Sequence, residues 1–173
     1  MSQGPQAVGQ RPAPQPPKPE PVRAKELAGR ITSKFPEGKV DWLKERRLKV
    51  TLPTQRIKEA ALFVRDGLGF DHISTVSGVD WIAANQLEVV YFVGSVKPGL
   101  VDFVAAIAER VARDDPVVPT LVEVWPGAEY HERETHEMFG INFLGNPNQS
   151  HILLPEDWND IPPLRKDYVS PGR

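Results

Sequence analysis

The residues from Tyr130 to Ile141 hold the densest set of chemically capable side chains in the sequence: Tyr130-His131-Glu132-Arg133-Glu134-Thr135-His136-Glu137-Met138-Phe139-Gly140-Ile141. Histidine and glutamate together can ligate a divalent metal, and His136-Glu137 opens the pattern of a helical zinc-hydrolase motif. That motif needs a second histidine at position 140, which here is Gly140. His131 and His136 are five residues apart and point in different directions on a helix. Glu132, Glu134 and Glu137 offer carboxylates for acid–base work. The sequence supplies no nucleophile motif, no glycine-rich phosphate loop and no dinucleotide fingerprint to complete them. A free-standing metal-dependent hydrolase is the enzyme this segment would make. The simpler reading is a polar helix face. Glu129 and Arg133, Glu132 and His136, and Arg133 and Glu137 all fall at i,i+4, where each pair adds roughly 0.3 kcal/mol.

Hydrophobic periodicity supplies the elements that must hold this segment. Leu27, Ile31 and Phe35 recur every four residues and mark a short helix ending before Pro36-Glu37-Gly38. Arg47 to Leu52 alternates with period two, as a half-buried strand does. Pro53-Thr54 opens a second helix with Ile57, Ala60, Ala61, Val64 and Leu68 on one face, stopped by Gly67 and Gly69. His72 to Val79 and the β-branched, aromatic run Leu87 to Val96 read as strands, joined through Gly78 to Asn85. Leu100 to Arg113 fits two periods. Leu100, Phe103, Val104, Ile107, Ala108 and Val111 make a helical stripe, and Val101, Phe103, Ala105, Ile107 and Val111 make a strand face. Periodicity alone leans to helix. Asp114-Asp115-Pro116 ends that element, Pro119 to Pro126 is a connector, and Glu129 to Phe139 is a polar helix capped by Gly140. From Asn142 onward, glycine and proline leave room only for an extended arm.

Composition bounds the rest. The 173 residues suffice for one domain with a core, and the formal net charge of −2 supplies no basic excess for nucleic acid. There is no cysteine, which removes disulfides, thiolate zinc sites and cysteine-ligated iron–sulfur clusters from this chain. No apolar run approaches the ~20 residues of a membrane span, and the N-terminus has no signal-peptide core, so membrane attachment is expected only through other chains. Residues 1–22 carry seven prolines among Gln, Gly, Ala and Lys, and read as a disordered or polyproline-like tail.

Several motifs in series then converge. Glu132-Arg133-Glu134, Glu137-Met138-Phe139-Gly140-Ile141, Phe143-Leu144-Gly145 with Pro147, Ile152-Leu153-Leu154-Pro155-Glu156-Asp157-Trp158, and Pro163-Leu164-Arg165-Lys166-Asp167-Tyr168 together resemble the signature of the 30-kDa (C) subunit family of complex I, the NADH-quinone oxidoreductase. That family extends to the corresponding subunit of archaeal deazaflavin-dependent dehydrogenases. The match is strong from Asp114 to Tyr168 and departs from the usual Gly-His-Pro at Gly145-Asn146-Pro147.

The resemblance implies an α+β fold: one compact domain over 23–141, with two or three helices on a mixed β-sheet. Leu100 to Val111 is then a strand, and residues 142–173 form an arm docking on the quinone-site (D) subunit. It also implies a scaffold in the peripheral arm of an ion-translocating quinone reductase, on the cytoplasmic face of the membrane. The chain would hold no cofactor, metal or catalytic residue; iron–sulfur clusters and flavin or deazaflavin would sit in partner subunits. The corresponding subunit of a membrane-bound hydrogenase is the alternative. The signature and expected interface residues are Glu132, Arg133, Glu134, Glu137, Phe139, Gly140, Pro147, Trp158, Leu164, Arg165, Lys166, Asp167 and Tyr168. Within the arm, Arg165 can pair with a partner carboxylate, flanked by Trp158 and Leu164 as buried anchors.

Overall fold

A computed structural model describes residues 21–170. The expected tail, up to residue 20, lies outside the described residues. Helix α1 (Val22–Lys34) buries Ala24, Leu27, Ala28 and Ile31, so it begins five residues before the first apolar position of the stripe. Strands β1 (Lys39–Lys44) and β2 (Arg47–Thr51) pair antiparallel. Helix α2 (Thr54–Leu62) continues into a wider turn, Phe63–Gly67, where a Cβ on Gly67 would meet the Phe63 ring at 2.8 Å. β3 (His72–Trp81) runs two residues past its expected end and pairs with β4 (Gln86–Gly94). Their connection is a short 3-10 turn closed by Asn85 in the left-handed region at φ 50°.

The ambiguous segment is strand β5 (Val104–Ala112), after a turn at Leu100 to Phe103. It lies between β2, parallel, and β4, antiparallel, and a central strand buried on both faces needs apolar residues at successive positions. That requirement also satisfies a helical stripe, so pairing decided between two periods the residues both obeyed. The sheet order is β1-β2-β5-β4-β3. A second, two-stranded parallel sheet joins β6 (Val117–Pro119) to β7 (Asn142–Leu144), so the first three arm residues are strand. Between them runs α3 (Ala128–Phe139). The fold is therefore α+β with three α-helices on a mixed five-stranded sheet.

One sheet face carries the main core, with Leu48, Val50, Val89, Tyr91, Ala105 and Ile107 packed under the helices. Gly78 of β3 lets α3 descend onto the strand, because a Cβ there would lie 2.4 Å from the Phe139 ring. The opposite face holds a smaller cluster of Val90, Ala106 and Ala108, with Trp42, Val79 and Phe92 packed against it. A network accompanies it: Lys49 donates to Glu88 at 2.7 Å, and the Trp81 indole donates to Glu88 at 3.0 Å.

Glu109 breaks the apolar pattern on the core face. Its side chain is fully buried and neither carboxylate oxygen completes a hydrogen bond. Burial, reinforced by the Glu132 charge and only partly opposed by Thr54, lifts its pKa from 4.5 to about 8. The folded chain thus keeps a proton that the unfolded chain releases near 4.5. Its contribution to stability is complete below that value and is lost as pH climbs toward 8. Glu109→Gln keeps the shape without the titration. Urea unfolding from about pH 5 to 8 should show the parent losing up to ~4 kcal/mol relative to the variant; parallel pH profiles would remove the buried-proton account.

Candidate subunit interface

Helix α3 places the acidic residues of the densest segment in unlike surroundings. Ala128, Glu132, Thr135 and Phe139 recur at helical spacing and are buried. Glu132 is fully enclosed and accepts four donors: the Leu121 amide at 2.8 Å, the Tyr91 hydroxyl at 3.2 Å, the Asn146 amide at 2.9 Å, and the Thr120 hydroxyl. Burial raises its pKa against the pull of those bonds, and burial beside Glu132 and Glu109 pushes the Tyr91 phenol well up. The departure at Asn146 falls at this point, where a side-chain N–H is the chemical need and an imidazole could also meet it.

Glu137 looks toward the arm. Its two oxygens gather the backbone amides of Ile152, Leu153 and Leu154 at 2.9 to 3.3 Å. Arg133 donates to the carbonyl and hydroxyl of Ser150 and lies 5.6 Å over the Tyr130 ring. Glu134 is exposed. Gly140 caps α3 in the left-handed region at φ 70°, and a Cβ there would meet Arg165 at 3.0 Å and Pro162 at 3.1 Å.

Arg165 fills the space that glycine leaves, donating to the Phe139 carbonyl at 2.7 Å. The basic group expected to reach a partner carboxylate thus has its Nε engaged inside the chain, on a helix-end acceptor. Leu164 donates its amide to the Met138 carbonyl at 3.0 Å, and its side chain is 56% exposed. The Lys166 amide donates to Asp80 at 2.9 Å, and Arg113 bridges Asp80 and Asp167. Burial works against ionisation of Asp80, but the Arg113 guanidinium and the Lys166 amide outweigh it and hold the carboxyl low. Trp158 is half-buried against Tyr168 at 6.0 Å, with its indole nitrogen unpaired. Pro147 is exposed on the loop between β7 and Ser150.

The expected interface residues therefore come together, but mostly around the chain's own arm. Asp80, Arg113, Tyr91 and Thr120 complete the arrangement and were not read from sequence, because each sits far along the chain from its partner. The stripe Ala128, Glu132, Thr135, Phe139 was the available signal for a buried Glu132. His131 and His136 are not brought together: His136 faces the Ile141 carbonyl at 2.8 Å, and His131 lines a hollow with His72 and Trp125. Among the described residues, no group of three or more metal-ligating side chains is placed to hold an ion.

Glu137→Ala should release the three amides it holds. Hydrogen exchange at Ile152, Leu153 and Leu154 should quicken at least about tenfold, with β4 amides unchanged; unchanged exchange in that loop would show that another group holds it. Glu132→Ala strands four donors, three of them buried, and should cost about 3 kcal/mol or more in chemical denaturation.

The model of the family "Respiratory-chain NADH dehydrogenase, 30 Kd subunit" matches residues 50–173. The chain is 35% identical over 147 residues to the C subunit of the F(420)H(2) dehydrogenase of Methanosarcina mazei, covering 84% of this chain and 91% of that protein. It is 31% identical over 120 residues to the C/D subunit of the NADH-quinone oxidoreductase of Phocaeicola vulgatus, covering 69% of this chain and 22% of that protein. A chain in the structure of the membrane-bound sulfane sulfur reductase, an archaeal respiratory membrane complex, superposes with TM-score 0.70 at 27% identity, covering 85% of this chain and 86% of that one. The family model over residues 50–173 and the relative covered to 91% of its length agree: the chain belongs to the 30-kDa subunit family of respiratory-chain NADH dehydrogenase.

Proposed function

We propose that this chain is a redox-silent positioning subunit in the peripheral arm of a complex I-like, ion-translocating quinone oxidoreductase. The observation that carries the proposal is the state of the arm. Glu132, Glu137, Arg165 and the Asp80–Arg113–Asp167 bridge fix its backbone, while Ile152, Leu153, Ile161, Leu164 and Val169 stand 41 to 75% exposed along it. A surface segment held rigid yet apolar outward is preorganised for a partner, since its ordering cost is met in the free chain.

The quinone-site (D) subunit is the partner that best fits. The Phocaeicola vulgatus relative is named as a joint C/D protein, and joining two segments in one polypeptide is effective when they already work side by side. Electron carriage falls to other subunits, because a chain without cysteine offers clusters no thiolate. Iron–sulfur clusters and a flavin or deazaflavin belong to those partners, with NADH or another reduced cofactor as donor. No helix among the described residues is long and apolar enough to cross a membrane, which fits attachment through neighbours at the cytoplasmic face. The contribution of this chain is geometric: it holds the quinone-site subunit in register, where small displacements of reacting groups change rates steeply.

Leu153→Ser with Val169→Ser should leave thermal unfolding of the isolated chain within about 2 °C and reduce co-purification with the quinone-site subunit about tenfold. Undiminished recovery of the intact complex, with unchanged quinone reduction, would remove the arm from the interface.

A further inference from the structure

β3 lies at one edge of the sheet, after β4. Its ten residues pair on one side only, and among the described residues no backbone–backbone hydrogen bond reaches them from any element but β4, although the Thr135 hydroxyl donates to the Val76 carbonyl at 3.5 Å and the Lys166 amide to the Asp80 carboxylate at 2.9 Å. Long edges are normally blunted by lysine, by proline or by a covering segment. The strand His72-Ile73-Ser74-Thr75-Val76-Ser77-Gly78-Val79-Asp80-Trp81 has neither residue, and its one irregularity falls between Ile73 and Thr75. Beyond that bulge, among the described residues, the only backbone carbonyl of the strand that takes side-chain donors is that of Val76, from Thr75 and Thr135.

A groove accompanies the edge. Helix α3 sits over the core face of β3 and roofs a cavity of about 210 Å³, lined by Val76, Gly78, Thr135, Met138, Phe139 and Leu164. Glu134 stands at this groove, exposed, and takes part in no hydrogen bond or ion pair among the described residues. The other three charged residues of its cluster, Glu132, Arg133 and Glu137, are all bonded within the chain. A strand edge with no backbone partner on its outer side, a slot lined by apolar and hydroxyl side chains, and a lone carboxylate thus share one site.

We propose that this edge accepts an extended segment of a neighbouring subunit as a sixth strand, with an apolar side chain in the slot and a basic residue against Glu134. Main-chain hydrogen bonds would supply affinity, and the slot and carboxylate would supply selection. The occupant rests on complementarity. In the chain's own N-terminal segment, seven prolines in the first 21 residues leave Gln6 to Arg11 as the longest run with consecutive N–H groups, shorter than the ten-residue edge. The inference depends on the reading of the chain as one subunit of an assembly.

The test is photocrosslinking in the purified assembly, with benzoylphenylalanine placed at Ser77 on the strand and, separately, at Leu153 on the arm. The Ser77 adduct should map to a stretch of another subunit in which a Lys or Arg adjoins an apolar residue. Glu134→Lys should cut its yield about fivefold or more and leave the Leu153 adduct unchanged. A Leu153 adduct with no Ser77 adduct, a Ser77 adduct to a second copy or to this chain's own residues, or indifference to Glu134→Lys would overturn the strand site and leave the assembly standing. Absence of both adducts would overturn the assembly reading, and the strand site with it.

Discussion

A carboxylate withdrawn from water must be met by donors from the protein, and Glu132 is met by four donors from three separate stretches of chain. Tyr91 comes from the sheet, Thr120 and Leu121 from the connector after β6, and Asn146 from the loop after β7. Each donor alone is worth about 1 kcal/mol; leaving any of them buried and unpaired costs more than forming the bond gains. The asymmetry makes the arrangement cooperative. The helix cannot shift without stranding the loop, and the loop cannot lift without exposing the carboxylate. The loop after β7 is placed by that constraint.

From this anchor the arm is fastened at three further points of different chemistry. Glu137 turns a carboxylate toward three successive backbone amides, and Arg165 turns a guanidinium toward the last carbonyl of the helix. Both use groups that a chain without regular secondary structure leaves unpaired. The third point, Asp80 with Arg113 and Asp167, ties the arm to the strands. Such fastening explains how a segment with few backbone partners of its own can present apolar side chains in a fixed array.

Much of the scaffold was legible from residue pattern. The helices around Ile31 and Ile57 and the strand at Val90 follow from spacing alone. Strand β1 was not, because Lys39-Val40-Asp41-Trp42-Leu43-Lys44 has few apolar positions and its tight turn, Glu45-Arg46, lacks the glycine or asparagine that marks a hairpin. The segment at Ile107 obeyed two periods at once, and only the resemblance of neighbouring motifs to a family chose the strand. At the interface, residue types were readable and their directions were not. Arg165 was recognisable as an anchor, but that its Nε reaches its own helix end depended on a turn some 25 residues away. Asp80, 33 residues before Arg113 and 87 before Asp167, left no local trace.

The contact between Gly78 and Phe139 carries an evolutionary corollary. With 2.4 Å between the ring and the place a Cβ would occupy, the two positions cannot drift independently. A descendant that gained a methyl at 78 would need a smaller residue at 139 in the same lineage, or its helix would ride higher on the strand. Because the carbonyl of 139 is also the acceptor for Arg165, such a step would propagate to the arm. A single missing side chain on β3 thereby couples the substitution history of the sheet to that of the surface facing other subunits.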